Sequence, residues 1–89
     1  MQQKNLTIIN KLGLHARAAA KFVTLASQFE SSIEVARNGQ QVNGKSIMGV
    51  MMLAAAKGTS LTVSADGPDE DAALAQIEAL IQDRFHEVE

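Results

Sequence analysis

Cysteine, tryptophan and tyrosine are absent from this 89-residue chain, and proline occurs once. Without cysteine there is no disulfide, no thiolate nucleophile and no thiolate zinc site, and nothing marks an oxidising compartment. The only aromatics are three Phe, so no strand offers a row of rings on which bases could stack. Positive charge is also scarce. Eight Lys and Arg against ten Asp and Glu give a formal net charge of −2, whereas a nucleic-acid module concentrates basic residues on one face. No apolar run approaches the roughly 20 residues that span a bilayer. The opening Met1-Gln2-Gln3-Lys4-Asn5 lacks the character of a signal peptide. These absences lead to the expectation of a cytoplasmic protein that neither enters membranes nor binds nucleic acid.

Hydrophobic residues nevertheless make up 46% of the chain, enough for one packed layer against a sheet and for a single domain over residues 1–89. Leu6-Thr7-Ile8-Ile9 alternates as a short strand. From Ala16 the period becomes helical, with Phe22, Val23, Ala26 and Phe29 on one side and Lys21, Thr24, Ser27 and Gln28 free to face water. Ile33-Glu34-Val35-Ala36-Arg37 and Gln40-Gln41-Val42 alternate again. Between them Asn38-Gly39 is a two-residue hairpin signal, because a type I′ turn needs positive φ at both central positions. Ser46 is placed to cap a short helix from Ile47 to about Leu53, after which Ala54-Ala55-Ala56 either extends the helix or loosens into a loop. Leu61, Val63 and Ala65 alternate with Ser60, Thr62 and Ser64. Asp69, Glu70 and Asp71 then load the first turn of a last helix with negative charge, complementing its dipole. That helix carries Leu74, Ile77 and Ile81, with Ala73, Leu80 and Phe85, as its apolar stripe.

The order is β-α-β-β-α-β-α. Alternating strands leave one sheet face in water, so the four strands should form a largely antiparallel sheet. The three helices must then share the other face, giving a two-layer open-faced α/β sandwich.

Only two histidines are present, and His15 lies where a glycine-containing loop, Gly13-Leu14-His15-Ala16-Arg17, runs into a helix. The first N–H groups of a helix lack intrahelical partners and carry the positive end of the dipole. With the Arg17 guanidinium they make an anion site suited to a phosphate. An unprotonated ring nitrogen there could attack a phosphoryl donor. The sequence places no carboxylate or serine beside His15, which is poor equipment for hydrolysis but adequate for accepting and returning a group. On spacing alone a lone His beside an Arg is a weak motif, and an ordinary loop residue next to a solvated helix residue is the commoner arrangement. His86 near the end of the last helix would be favoured by the dipole. Two separated histidines without an acidic cluster make no metal site, and no cofactor is called for.

The short helix is apolar nearly all round. Val50 and Leu53, with one or two Met, should be core. Ile47, Met48 and Met51 should form an exposed patch, since flexible Met side chains suit a surface that fits several partners.

The stretch from Asn10 to Arg17, with Ala19, resembles the active-site signature of the HPr family, the histidine-containing phosphocarriers of the bacterial sugar phosphotransferase system. Asn43-Gly44-Lys45-Ser46-Ile47-Met48-Gly49-Val50-Met51 resembles the regulatory-serine motif of the same family. Ala56-Lys57-Gly58, Gly67-Pro68-Asp69-Glu70 and the total length also fit. The resemblance implies that Enzyme I, using phosphoenolpyruvate, phosphorylates His15 on Nδ1, with Ala16 and Arg17 binding the phosphate. The group would then pass to IIA proteins or domains. It also implies that Ser46 is the site of an HPr kinase/phosphorylase, that the helix after Ser46 lies beside the active histidine, and that the chain is a monomeric relay rather than an enzyme. One departure is Ala18, where the family usually has proline. Alanine keeps the helix and its N–H, so any effect should fall on transfer rate. Two rivals remain: a regulatory binding module that uses the Ser46 helix without transfer, and a carrier of the nitrogen-related branch.

Overall fold

A computed structural model describes residues Met1–Glu89. Its elements are β1 (Gln2–Thr7), α1 (Ala16–Ala26), β2 (Ser32–Arg37), β3 (Gln40–Asn43), α2 (Ile47–Met52), β4 (Ser60–Asp66) and α3 (Glu70–Gln82), followed by a tight 3-10 turn at Arg84–His86. The strands form one four-stranded sheet in the order β1-β4-β2-β3, and every neighbouring pair is antiparallel.

Alternation decides which face each residue takes. Leu6 stands opposite Leu61, Ile33 opposite Ala65, and Val35 opposite both Val63 and Val42. All but the partly buried Val42 are buried, and they form one core with residues from the helices. The other face is polar: Thr62 donates to Asn5 at 2.8 Å and Gln41 to Glu34 at 2.5 Å. At roughly 1.5–3 kcal/mol for each fully buried large apolar side chain, the helix-covered face carries the stability.

β1 begins earlier than the alternation suggests and stops before Ile8. Gln2 to Asn5 have no apolar residue to reveal them and are held by backbone pairing with β4. Lys4, opposite Val63, sits on the helix side at the sheet edge and reaches Glu78 of α3 at 2.7 Å. Ile8 remains fully buried just past the strand, joined to the neighbouring loop by Ile8 N–H to the Thr59 carbonyl at 2.9 Å and Gly58 N–H to the Ile8 carbonyl at 2.7 Å.

α1 presents Ala18, Ala19, Phe22 and Ala26 to the core and ends at Ala26. Three of these are alanines, so the backbone itself lies close to the sheet. Val23 and Phe29, expected in the stripe, are only partly buried, Phe29 because it falls beyond the helix. The hairpin turn is as expected: Asn38 and Gly39 have φ of 51° and 80°.

Ser46 caps α2, its Oγ accepting from Gly49 N–H at 3.2 Å. The alanine run loosens rather than extending the helix. Ala54 turns left-handed with φ of 49°, and Arg37 Nη1 donates to the Leu53 and Ala54 carbonyls at 2.6 and 3.0 Å.

α3 buries the predicted Ala73, Leu74, Ile77, Leu80 and Ile81. Asp69 occupies its N-cap position, but its side chain makes no cap bond. The carboxylate instead accepts from the backbone N–H groups of Glu30 and Ser31 and from the buried Ser31 hydroxyl. Those contacts hold the Asp69 carboxyl below its ordinary range, the Ser31 hydroxyl acting most strongly. Glu70 and Asp71 fill the acidic first turn as expected. Beyond α3, Arg84, Phe85 and His86 all have positive φ, at 54°, 54° and 65°, a conformation non-glycine residues avoid. The fully buried Phe85 ring and a 2.6 Å bond from Lys21 Nζ to the Phe85 carbonyl hold this turn. His86 therefore lies past the helix rather than in its last turn, and pairs with Asp83.

Candidate functional site

His15 is the N-cap residue of α1, with extended backbone at φ −73° and ψ 178°, and no side chain caps the helix. Its carbonyl accepts from Ala19 N–H at 2.8 Å. The N–H groups of the first turn are left for an external acceptor.

The loop leading to it is pinned from two sides. Asn10 is fully buried and donates through Nδ2 to the Gly13 carbonyl at 2.8 Å. Leu14 is buried, and its N–H donates to the Ala55 carbonyl at 2.8 Å. Gly13 has φ of 68°, and an added Cβ would lie 2.4 Å from the Ala55 oxygen. Only glycine allows the loop to pass so close, so the alanine loop after α2 is part of what sets His15 in place.

The imidazole is 30% exposed, open enough for another protein to reach. Its Nε2 lies 2.5 Å from Glu87 Oε2. The expectation of no carboxylate beside His15 is thus corrected: the tail after α3 folds back and supplies one from 72 positions away, a distance across which no local pattern signals contact. The His15 bond holds the Glu87 carboxyl below the usual glutamate range. Asn10 and the charges of His15 and Lys21 act in the same sense, and partial burial opposes them.

Ala16 and Arg17 are exposed and line, with Lys11, Leu12, His15 and Glu87, one open hollow at the helix entrance. Leu12, 65% exposed, is an apolar member of this hollow that sequence reasoning passed over. An exposed apolar residue within the motif was the available signal.

α2 packs against α1. Its Val50, with Leu53 just beyond, is core, whereas Ile47, Met48 and Met51 are exposed, Met48 at 73%. Met52 is exposed as well, so no Met joins the core and that expectation is corrected. A six-residue helix covering one corner of the sheet turns too little of its surface inward to bury more. Ser46 is half-buried at its cap position.

The family model described as the PTS HPr component phosphorylation site matches residues 2–83. The phosphocarrier protein HPr of Cupriavidus necator is 57% identical over 89 residues, covering both chains fully. The crystal structure of HPr-C-His from Thermoanaerobacter tengcongensis superposes with a TM-score of 0.95 at 45% identity, covering 98% of each chain. A crystal structure of an HPr dimer from the same organism matches with a TM-score of 0.79, covering 98% of this chain and all of that one.

Proposed function

Since the chain belongs to the HPr family of phosphotransferase-system phosphocarriers, we propose that His15 is its acceptor, taking a phosphoryl group from phosphorylated Enzyme I and passing it to IIA proteins. The observation that carries this reading is the accessible imidazole at an uncapped helix entrance, with Nε2 engaged and Nδ1 left as the free ring nitrogen. In the transfer, the Nδ1 lone pair forms the bond to phosphorus as the bond from phosphorus to the donor breaks. The first-turn amides at Ala16 and Arg17 and the Arg17 guanidinium hold the phosphoryl oxygens. Return to an acceptor is the reverse displacement. The one carboxylate beside His15, Glu87, is taken up by Nε2 and Asn10, so the site is read as positioning and holding the group for return, a relay rather than an enzyme with its own substrate.

Incubation with phosphoenolpyruvate and Enzyme I should add one acid-labile phosphate, seen by mass spectrometry and absent in His15→Ala. Label retained by that variant would refute the assignment. The exposed Ile47, Met48 and Met51 are read as the docking patch for both partners. Ser46 is read as the target of an HPr kinase: a phosphate there meets the positive end of α2 and is tolerated by the fold, so its action falls on docking. Kinase labelling that survives Ser46→Ala would exclude the site. The relay is read as cytoplasmic and monomeric at 9.5 kDa, and light scattering at working concentration checks the monomer against the dimer known for a relative.

A further inference from the structure

Glu87 is held for a task. One carboxylate oxygen accepts from Asn10 Nδ2 at 3.1 Å and the other faces His15 Nε2 at 2.5 Å. Asn10 is fully buried, and its Nδ2 also donates to the Gly13 carbonyl. Exchanging its amide nitrogen and oxygen would set oxygen against two acceptors, so its orientation is defined. The tail that carries Glu87 is fixed on both sides: Phe85 is fully buried, and Lys11 N–H donates to the Glu89 carbonyl at 2.6 Å. Lys11 and Arg17 line the same hollow, and Lys21 of α1 donates to the Phe85 carbonyl two residues before Glu87.

A carboxylate can only accept, so the hydrogen in the His15 contact belongs to Nε2. A neutral ring protonated there carries its lone pair on Nδ1. We propose that Glu87 is a positioning residue for phosphoryl transfer: anchored by Asn10, it fixes the Nε2-protonated tautomer of His15 and faces the positive charge that the ring gains as Nδ1 bonds to phosphorus. This rests on His15 being the acceptor. When Nδ1 donates its electron pair while Nε2 keeps its proton, the ring becomes an imidazolium, and Glu87 is the carboxylate in contact with it. Retention of that proton also keeps the ring a good leaving group. The Nδ1–phosphorus bond can break in the next step with its electron pair returning to Nδ1 and no proton having moved.

The test compares the full chain with Glu87→Ala and the isosteric Glu87→Gln. Nitrogen NMR of the neutral His15 ring should show Nε2–H alone in the wild type, a mixture of both tautomers in Glu87→Ala, and a reduced Nε2–H share in Glu87→Gln, whose single amide oxygen must serve either Asn10 or His15. Acceptance from phosphorylated Enzyme I should fall about tenfold in Glu87→Ala, the rate equivalent of one charge-assisted hydrogen bond near 1.4 kcal/mol, and less in Glu87→Gln. An unchanged tautomer or an unchanged rate in Glu87→Ala overturns the proposal. A wild-type chain that takes no phosphoryl group on His15 would refute the function itself, and the ring spectrum would still decide whether Glu87 sets the tautomer.

Discussion

Replacing Gly13 by alanine tests how the site is built. The added Cβ would lie 2.4 Å from the Ala55 oxygen and 2.9 Å from the Ala56 Cα. Both are backbone atoms that no side-chain rotation can move aside. Restoring ordinary contact at about 3.4 Å requires the two loops to part by about 1 Å. The Leu14 N–H to Ala55 carbonyl bond, now 2.8 Å, would stretch past hydrogen-bonding range, a loss of about 0.5–1.5 kcal/mol. Alanine at φ of 68° adds about 1–2 kcal/mol of backbone strain. Together they predict a loss of about 1.5–3.5 kcal/mol, a sizeable part of the roughly 4–13 kcal/mol typical of a chain this long. Urea unfolding followed by far-ultraviolet circular dichroism measures it, with a fall in melting temperature of about 10–20 °C as the thermal counterpart. Because the displaced loop carries His15, phosphoryl acceptance should slow as well. A loss below about 1 kcal/mol would show that the loop yields freely and that Gly13 is not needed for close approach.

Three further outcomes are expected. The Asp69, Glu70 and Glu87 carboxyls all titrate below their ordinary values in the folded chain, so their contribution is complete above the unfolded values and is lost as pH falls through the folded ones. Melting temperature should therefore hold steady above the ordinary carboxylate range and drop below it, and Asp69→Asn should flatten part of that drop. Phe85→Ala removes a fully buried ring at a cost of about 3–5 kcal/mol. The tail should be released first, with faster hydrogen exchange at the Lys11 amide, and unchanged protection there would refute its anchoring role. Met48→Glu, at a 73% exposed position, should shift stability by no more than about 0.5 kcal/mol while slowing transfer with both partners, and undiminished rates would remove α2 as a docking surface.

What sequence reading could reach was set by how far each signal extends along the chain. Asn38-Gly39, the Ser46 cap, the alternation of β4 and the entrance of α1 at His15 are local, and each depends on neighbours within a few residues. The start of β1 was hidden because Gln2 to Asn5 are polar on both faces and gain their strand geometry from β4. Asp69 reads together with Glu70 and Asp71 as part of the first turn, yet it stands one position earlier and its carboxylate goes to Ser31, 38 positions away. Met52 joins the expected exposed Met48 and Met51 because α2 covers so little of the core. Glu87 was the least legible, since the left-handed turn at Arg84 to His86 brings it to His15 and nothing in those residues advertises such a turn.

The sheet order has a consequence in time as well as in space. β4 lies between β1 and β2, so the first strand to leave the ribosome has nothing to pair with until Ser60–Asp66 has been made. The β2–β3 hairpin can close on its own and α1 can coil, but both wait for the central strand before their apolar faces are covered. Nascent chains halted short of β4 should thus be open to proteases and chaperones, and folding should finish in one late step as this strand is inserted.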